Sequence, residues 1–490
     1  MKAKSHSHRM HMKRRTQRIY CTLLLLCSHA SIVYGNEWAE TIERLKPTVV
    51  NLEVTIQANI GLDKPGTWLG TGFIVDATRG IIATNRHLTS TSPAHIKITF
   101  INGSSTEGRL LYYDYYHDFA FIRFDPSSVA LSLKEPTLGS SFDLKPQQTV
   151  LLIGNNEREE YSVKIGMVVN SCVDKGDRRS STIHTTFDRT GGSSGSPVFD
   201  ENERVIGIHF AGTNTSSFEL PIEYLTDSLR RIQNGEPPQR GDIGVQLGYV
   251  NLDDAIKYVG ISDDYRHLYK RKFPNSTKVI QVQRTIPASP AQYALKPGDI
   301  LWSVGDQLIG DNLYLFDKLL NRHVGRTVTF TVLRRTDAVI VELPVRDLER
   351  QKTKKFVLFG GGTFQDITTE FRRKLNYGSD GVFMNSVQIG SAFSPLGVYD
   401  QKDPTTRRVI IKELDGKRIR DLDDFINAAQ GITTGTYTTV IYQDLFDVNT
   451  APKVMYTSFD LMISKLRVFD LNDDTGNWQE TKLGFTVAHP

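Results

Sequence analysis

The sequence predicts a mainly β protein in which two β-barrels are followed by two smaller β-rich domains. Its 490 residues, 39% of them hydrophobic and 10% aromatic, are enough for about three domains of ordinary size with packed cores. Short runs rich in β-branched residues recur between turns in the first half of the chain, at 49–54, 96–100, 149–154 and 163–169. Such runs are typical of two six-stranded barrels, and a helix-like segment at 222–232 ends this region.

The basic charge of the chain is concentrated at its N-terminus. The formal net charge is +4, but the first 35 residues carry seven of the 59 basic residues and no acidic one. The rest, with 52 basic against 55 acidic residues, gives no electrostatic case for nucleic-acid binding.

Residues 1–35 have the pattern of a secretory signal peptide. The basic stretch is followed by an apolar run from Ile19 to Cys27 and by small residues near Ala30 and Gly35, so we expect cleavage after one of these two. Export to a periplasm or out of the cell follows from this interpretation. The alternatives are a mitochondrial presequence and an uncleaved anchor, although the run is short for a stable membrane span.

Cysteine usage gives no sign of a disulfide or a metal site. Cys21 and Cys27 lie in the predicted leader, which leaves Cys172 as the single cysteine of the mature chain. We therefore expect no intramolecular disulfide, no cysteine metal site, and no metal or other cofactor.

Three separated motifs in the barrel region supply a histidine, an aspartate and a serine, in that order. His87 ends the run 84–87, Asp118 follows a histidine, and Ser194 lies in the glycine-rich stretch 191–197. A serine hydroxyl is a weak nucleophile until a neutral imidazole accepts its proton, and a buried carboxylate must orient that imidazole. The predicted roles are therefore base for His87, orienting carboxylate for Asp118 and nucleophile for Ser194.

The glycines beside Ser194 have a predicted role of their own. They allow a tight turn that points the backbone amides of Gly192 and Ser194 at a developing oxyanion. Taken alone, such a Gly-Ser stretch is more often a flexible linker. Here the apolar run 205–210 follows closely, and a solvated linker would not lie between strands.

With these motifs the chain resembles the trypsin-like HtrA (Deg) family. The segments 70–75 and 80–87 resemble the strands that lead to the catalytic histidine of that family, and 118–123 resembles its aspartate strand. The residue sequences of 117–119 and 192–197 resemble those of the branch that contains the fungal nuclear HtrA-like proteases. The resemblance implies a chymotrypsin-like double barrel over 36–236, ATP-independent cleavage of unfolded or exposed protein segments, and a homotrimer.

The nucleophile loop departs from the common family motif at two positions. Ser193 and Ser196 stand where most members have Asn and Gly, so Ser196 places a side chain where the loop is normally bare. Relatives generally accept medium apolar side chains before the scissile bond, and Phe210 is compatible with that preference. A basic preference is the alternative, because Asp188 lies six residues before Ser194, although Arg189 beside it could neutralise its charge.

A second unit, 240–348, follows a proline-rich linker and resembles a PDZ domain. The resemblance rests on the segments 241–247, 279–282, 289–291, 295–301 and 304–306. In PDZ domains a peptide adds as an extra strand, and backbone amides near Ile243, Gly244 and Val245 would hold its terminal carboxylate. C-terminal peptides are thus the expected partners, and the alternative is that this loop is only the ordinary start of a strand.

A third unit, 355–461, follows the same order of segments and resembles a PDZ domain more weakly. An insertion at 397–408 replaces the compact Lys-Pro-Gly-Asp segment, and the carboxylate pocket is in doubt. The basic run Lys352–Lys355 is interpreted as a solvated hinge. The C-terminal extension 462–490 is predicted to be strand-like from Lys465 onward, with a polar turn at 472–476.

Two functional classes compete on these observations. The first is an endopeptidase whose PDZ units recruit substrates or regulate cleavage. The second is a peptide-binding or chaperone-like protein with a weak or vestigial protease domain. The intact His, Asp and Ser set favours the first, since a decayed site usually loses one of these residues first.

Overall fold

The computed structural model describes residues 38–58, 60–61, 63, 65–156, 159–174, 181–188, 191–397, 409–445, 451–472 and 476–482. The predicted leader with Cys21 and Cys27, Arg189, and most of the insertion at 397–408 lie outside the described residues. Within the described ranges, no helix is both long and apolar enough to cross a membrane.

The first barrel follows a short helix, α1 (38–45), and closes on itself in the order β1-β2-β3-β6-β5-β4. Its core contains Val50, Leu52, Ile74 and Ile98. The one-turn helix α2 (Arg86–Thr89) follows β3 directly. The strands are β1 (Val49–Ile56), β2 (Gly66–Asp76), β3 (Ile81–Thr84), β4 (Ala94–Thr99), β5 (Ser105–Asp114) and β6 (Phe119–Arg123).

The second barrel has the strand order β11-β8-β9-β10-β13-β12, and pairing between β11 and β12 closes it, while β7 lies parallel beside β12. The predicted helix at 222–232 is confirmed as α3 (Glu223–Gln233). One core, which includes Phe73 and Phe199, spans both barrels. The strands are β7 (Thr137–Leu138), β8 (Thr149–Asn156), β9 (Glu159–Asp174), β10 (Ser181–Thr185), β11 (Pro197–Phe199), β12 (Arg204–Gly212) and β13 (Ser217–Pro221).

The next unit is a sheet of order β15-β16-β17-β19-β20, with β18 paired to β17, and a separate two-stranded pair β14–β21. Its helices are α4 (Leu252–Asp254), which continues into a π-helical turn, α5 (Asp263–Lys272) and α6 (Leu313–Arg322). The Asn312 side chain caps α6 by accepting a hydrogen bond from the Leu315 amide at 2.8 Å. The strands are β14 (Gly241–Asp242), β15 (Val245–Asn251), β16 (Lys278–Thr285), β17 (Ile300–Val304), β18 (Gln307–Leu308), β19 (Thr327–Arg334), β20 (Asp337–Pro344) and β21 (Arg346–Asp347).

The last unit is a larger sheet of order β28-β27-β25-β24-β23-β22-β29-β30, with β26 paired to β25. Helices α7 (Thr369–Leu375) and α8 (Leu422–Gln430) accompany it. The strands are β22 (Lys355–Phe359), β23 (Gly362–Asp366), β24 (Val382–Val387), β25 (Val409–Leu414), β26 (Lys417–Arg418), β27 (Tyr437–Asp444), β28 (Lys453–Ser458), β29 (Arg467–Leu471) and β30 (Trp478–Thr481). The predicted mainly β class, with two barrels and two further β domains, is confirmed.

The two smaller domains differ at the strand that follows their glycine loop. In the first, β15 is the edge of its sheet among the described residues. In the second, β22 runs antiparallel along the corresponding strand β23, with Val357 opposite Phe364 and Phe359 opposite Gly362. The strands of the C-terminal extension continue this sheet, because β29 pairs with β22 and Phe356 stacks on Phe469 with ring centroids 4.7 Å apart.

Candidate active site

The two barrels meet at Thr71, in the strand β2 of the first barrel. The Thr71 amide donates to the Ser194 carbonyl at 2.9 Å, and its hydroxyl donates to the Gly192 carbonyl at 3.0 Å. The same hydroxyl accepts from the Asn155 amide of β8 at 2.9 Å. These bonds fix the loop that carries Ser194, in the second barrel, to the first barrel, which carries His87 and Asp118.

The structure brings His87 and Asp118 together. His87 Nδ1 lies 2.7 Å from Asp118 Oδ2, and the His87 amide donates to Asp118 Oδ1 at 2.9 Å. The Asp118 side chain is 4% exposed and that of His87 38%. Because a buried carboxylate accepts, the proton belongs on Nδ1, and Nε2 is left as the basic nitrogen on the opposite side of the ring.

The backbone at Asp118 has an unusual conformation that its neighbours hold in place. Its φ is +61°, in the left-handed region that few residues other than glycine, asparagine and aspartate adopt readily. The Asp118 carbonyl accepts from Asn85 Nδ2 at 3.0 Å and from the Arg86 amide at 3.2 Å. The short segment 85–87 therefore binds both the backbone and the side chain of Asp118.

The glycines around the half-buried Ser194 are required by geometry. Gly192 and Gly195 have φ values of +92° and +87°. A Cβ on residue 195 would overlap the Thr71 carbonyl oxygen and the Thr84 hydroxyl. Among the described residues, the amides of Gly192 and Ser194 donate to no protein acceptor, and no hydrogen bond joins Ser194 to His87.

The two candidate specificity residues, Asp188 and Phe210, lie in different environments. Asp188 is exposed, and its carboxylate accepts a hydrogen bond from Lys164 Nζ at 2.6 Å. This hydrogen bond lowers the pKa of Asp188. Phe210 is buried in the core that the barrels share. The cation that neutralises Asp188 among the described residues is thus Lys164, on the neighbouring strand β9.

One buried polar cluster beneath the nucleophile loop was not predicted from the sequence. The Gly195 amide donates to the His209 carbonyl, and the His209 amide donates to the Ser196 carbonyl, both at 2.9 Å. The His209 ring lies 2.9 Å from the fully buried Glu219 carboxylate, which also accepts from Thr185 Oγ1 at 2.7 Å. The sequence offered no signal, because His209 lies inside an apolar strand run and its partners lie on other strands.

The segment 112–117, directly before Asp118, joins the barrels to the first small domain. His117 is fully buried, with Nδ1 2.8 Å from Asp114 Oδ2 and Nε2 3.1 Å from Asp317 Oδ2 of α6. Arg240, in the linker, also pairs with Asp114. Burial alone would raise the pKa of Asp114, but Arg240 and His117 outweigh it and hold this pKa well below the usual range.

The same segment also binds Lys352, the first residue of the basic run 352–355, and the prediction of a solvated hinge is wrong for this residue. Its ammonium lies 4.2 Å and 4.1 Å from the ring centroids of Tyr112 and Tyr113. It pairs with Glu349 at 2.5 Å and donates to the Tyr113 carbonyl at 2.6 Å. Burial lowers the pKa of Lys352, although Glu349 opposes this.

The predicted carboxylate loop of the first small domain is firmly anchored. Gly244 has φ +79°, and a Cβ there would overlap the Ser289 side chain. Its carbonyl accepts from the Ile286 amide at 2.8 Å, while Ile243 and Val245 are buried. Further along β15, the Tyr249 amide donates to Asp174 Oδ2 of the barrel strand β9 at 3.4 Å.

Comparison with known families matches each unit. Residues 70–208 match the trypsin-like peptidase domain, 241–345 the PDZ domain and 352–434 the PDZ-like domain. The fold and these matches define a trypsin-like peptidase domain followed by two PDZ-type domains. This order of domains is similar to that of the HtrA-type proteases, the family that the motifs of the chain resemble.

Similar proteins cover nearly all of the chain. It is 27% identical over 465 residues to "Pro-apoptotic serine protease NMA111" of Debaryomyces hansenii, covering 92% of this chain and 46% of that protein. The protein of the same name from Eremothecium gossypii is 28% identical over 466 residues, again with 92% and 46% covered. The chain therefore spans less than half the length of these curated relatives. A solved structure, "HtrA-type protease AlgW with tripeptide", is 23% identical with a TM-score of 0.48 and covers 63% of this chain and 97% of that chain.

Proposed function

We propose that the chain is an endopeptidase that cleaves unfolded or exposed protein segments without ATP, through an acyl-enzyme. The observation that carries the proposal is the His87–Asp118 contact of 2.7 Å, opposite a Ser194 loop that Thr71 fixes across the cleft. A neutral imidazole with its Nδ1 proton on a buried carboxylate is the form that can accept a proton at Nε2.

The proposed reaction uses each group in turn. Ser194 Oγ attacks the scissile carbonyl carbon while His87 Nε2 accepts the hydroxyl proton, and Asp118 stabilises the imidazolium. The Gly192 and Ser194 amides, which have no protein acceptor among the described residues, donate to the oxyanion. His87 then protonates the leaving amine, and the same steps with water as nucleophile release the acid product and regenerate Ser194.

We expect the hydrogen bond between Ser194 and His87 to form when substrate binds. Catalytic hydrogen bonds are often absent or long in free enzymes and tighten only in complexes with substrate. The missing bond between Ser194 and His87 is therefore compatible with the proposed roles.

We propose a preference for apolar side chains before the scissile bond. The alternative, a basic preference, requires an unneutralised carboxylate at Asp188, and Lys164 already pairs with that group at 2.6 Å. Mapping of the sites cut in a denatured protein tests this choice, and a dominant Lys or Arg before the cut would contradict it.

Peptide recruitment is proposed for the first PDZ domain. The β15 edge and the loop Ile243–Val245 offer backbone groups to a C-terminal peptide. The family resemblance further supports a homotrimer, and the signal-peptide pattern of residues 1–35 supports export of the chain. Light scattering tests the trimer, and a monomer would remove it.

The deciding experiment compares the full chain with its Ser194→Ala variant on an unfolded model protein. Cleavage that disappears in the variant would support the peptidase and its nucleophile. No cleavage by either protein, together with binding of the unfolded protein by both, would favour the peptide-binding alternative.

A further inference from the structure

Arg86, the residue before His87, is buried between carboxylates from two domains. Its guanidinium donates to Asp63 Oδ1 at 2.6 Å and to Glu370 Oε1 at 3.1 Å. Asp63 precedes β2 in the first barrel, whereas Glu370 belongs to α7 of the PDZ-like domain. The Arg86 side chain is 5% exposed, so these contacts are shielded from water.

Arg86, Asp63 and Glu370 form a buried charge cluster, and the charge of each member depends on the others. Burial would raise the pKa of Asp63, but Arg86 and the hydrogen bonds from Thr91 and Ser90 outweigh it and lower this pKa. Burial raises the pKa of Glu370, and Arg86 offsets that rise only in part. Removing one member of such a buried set leaves a charge without compensation, which is much more costly than losing an exposed ion pair.

This buried charge cluster is connected directly to His87 and Asp118. Helix α2 has only four residues, and the Arg86 amide donates to the Asp118 carbonyl while the next amide, of His87, donates to the Asp118 carboxylate. A shift of the Arg86 backbone would therefore move His87 relative to Asp118. The rings of Tyr113 and Tyr115 flank its guanidinium, with centroids 5.9 Å and 5.8 Å away.

The PDZ-like domain also holds the loop that carries Asp63. The Gly61 amide donates to Gln365 Oε1 at 2.7 Å and to Asn385 Oδ1 at 3.1 Å. Asp63 in turn accepts from Ser90 Oγ at 2.9 Å, at the end of α2. Both carboxylates that face Arg86 are thus placed by contacts with the PDZ-like domain.

We propose that Glu370 is a positioning residue of the peptidase site, which acts through Arg86 to hold His87 against Asp118. The PDZ-like domain is then a fixed part of the catalytic unit, in keeping with its β23 strand being covered by β22. This inference rests on the proposed peptidase function.

The test measures kcat and KM of the full chain on a quenched-fluorescence peptide, the rate at which a fluorophosphonate labels Ser194, and the thermal unfolding temperature. Glu370→Gln removes the charge and keeps the shape. Glu480→Gln is the matched control, because Glu480 pairs with Arg467 at 2.7 Å in the C-terminal extension of the same sheet but is exposed. We expect Glu370→Gln to lower kcat and the labelling rate about tenfold with KM changed less than about twofold, since small displacements of catalytic groups mainly affect the chemical step.

Arg86→Lys extends the test, because a lysine cannot bridge two carboxylates as a guanidinium does. If Glu370 acts through Arg86, Glu370→Gln causes little further loss in the Arg86→Lys background. Wild-type kinetics in Glu370→Gln, or a loss that only follows its unfolding temperature, would overturn the inference. A Glu370→Gln chain that does not fold, together with normal kcat in Arg86→Lys, would overturn it as well. Failure of wild-type Ser194 to label or cleave would instead refute the proposed function, and this inference with it.

Discussion

The Ser196 hydroxyl occupies the space that a side chain at residue 154 would need. A Cβ on Gly154, in β8, would overlap Ser196 Oγ and lie 2.9 Å from Thr71 Oγ1. Ser196 is fully buried and its hydroxyl has no hydrogen-bond partner among the described residues, so it acts there as a packing group. The serine that departs from the common family motif is thus accommodated by a glycine on the facing strand.

Gly154→Ala should therefore destabilise the protease domain by about 1–3 kcal/mol, the usual cost of overpacking a core. Adding Ser196→Gly should recover most of this loss, with Thr71 Oγ1 limiting the rescue. Urea unfolding measures both changes. Gly191→Ala is the control for stability, since a Cβ there meets nothing within 4 Å. Equal stability of Gly154→Ala and wild type would contradict the packing argument.

Asp118→Asn should separate folding from catalysis. Asparagine tolerates a φ of +61° and can still accept from the His87 amide, so the unfolding temperature should stay near that of wild type. The NH2 group that replaces Oδ2 cannot accept the Nδ1 proton, which favours the wrong tautomer of His87, and kcat should fall by about 10⁴. Kinetics and calorimetry on the same samples check this. A drop of less than about tenfold in kcat would argue against the role of Asp118.

Lys164→Met should increase the share of cuts after Lys and Arg. It leaves the Asp188 carboxylate without its partner, and an exposed charge of this kind contributes up to about 1 kcal/mol, or roughly two- to fivefold in rate. Cleavage-site profiling by mass spectrometry measures the shift. In the Lys164→Met/Asp188→Asn double variant the increase should vanish, and its persistence would show that Asp188 does not reach the substrate.

Asp114→Asn should destabilise the chain most at neutral pH. It leaves Arg240 buried without its carboxylate, which costs about 3–5 kcal/mol. Because the pKa of Asp114 is lowered in the folded state, its contribution is fully present above the ordinary aspartate value of 3.8 and is lost as the pH falls below it. Urea unfolding of both proteins from pH 7 to 3 should show the difference narrowing at the acid end. A difference that stays constant with pH would rule out the titration of Asp114 as its source.

The barrels were predictable because each strand is indicated by its own short run of β-branched residues, such as that of β1. The nucleophile loop was predictable because the turn at 192 and 195 has positive φ values that favour glycine. The contacts of the segment 112–117 with the rest of the chain could not be predicted from the sequence. Tyr113 and His117 find their partners Lys352 and Asp317 at separations of 239 and 200 residues. A single sequence shows that cations and aromatic rings are present, but not which of them are buried against each other. Lys352 was therefore mistaken for a solvated side chain.

The strand β22 is joined to the strand it covers by only Gly360 and Gly361. A segment tethered this closely has an effective concentration of roughly millimolar or more at its own groove. A free peptide would have to compete against that local concentration, and it would also have to break the pairing of β22 with β29. The β23 edge of the PDZ-like domain is therefore paired with its own chain, whereas β15 of the first PDZ domain is an edge of its sheet among the described residues.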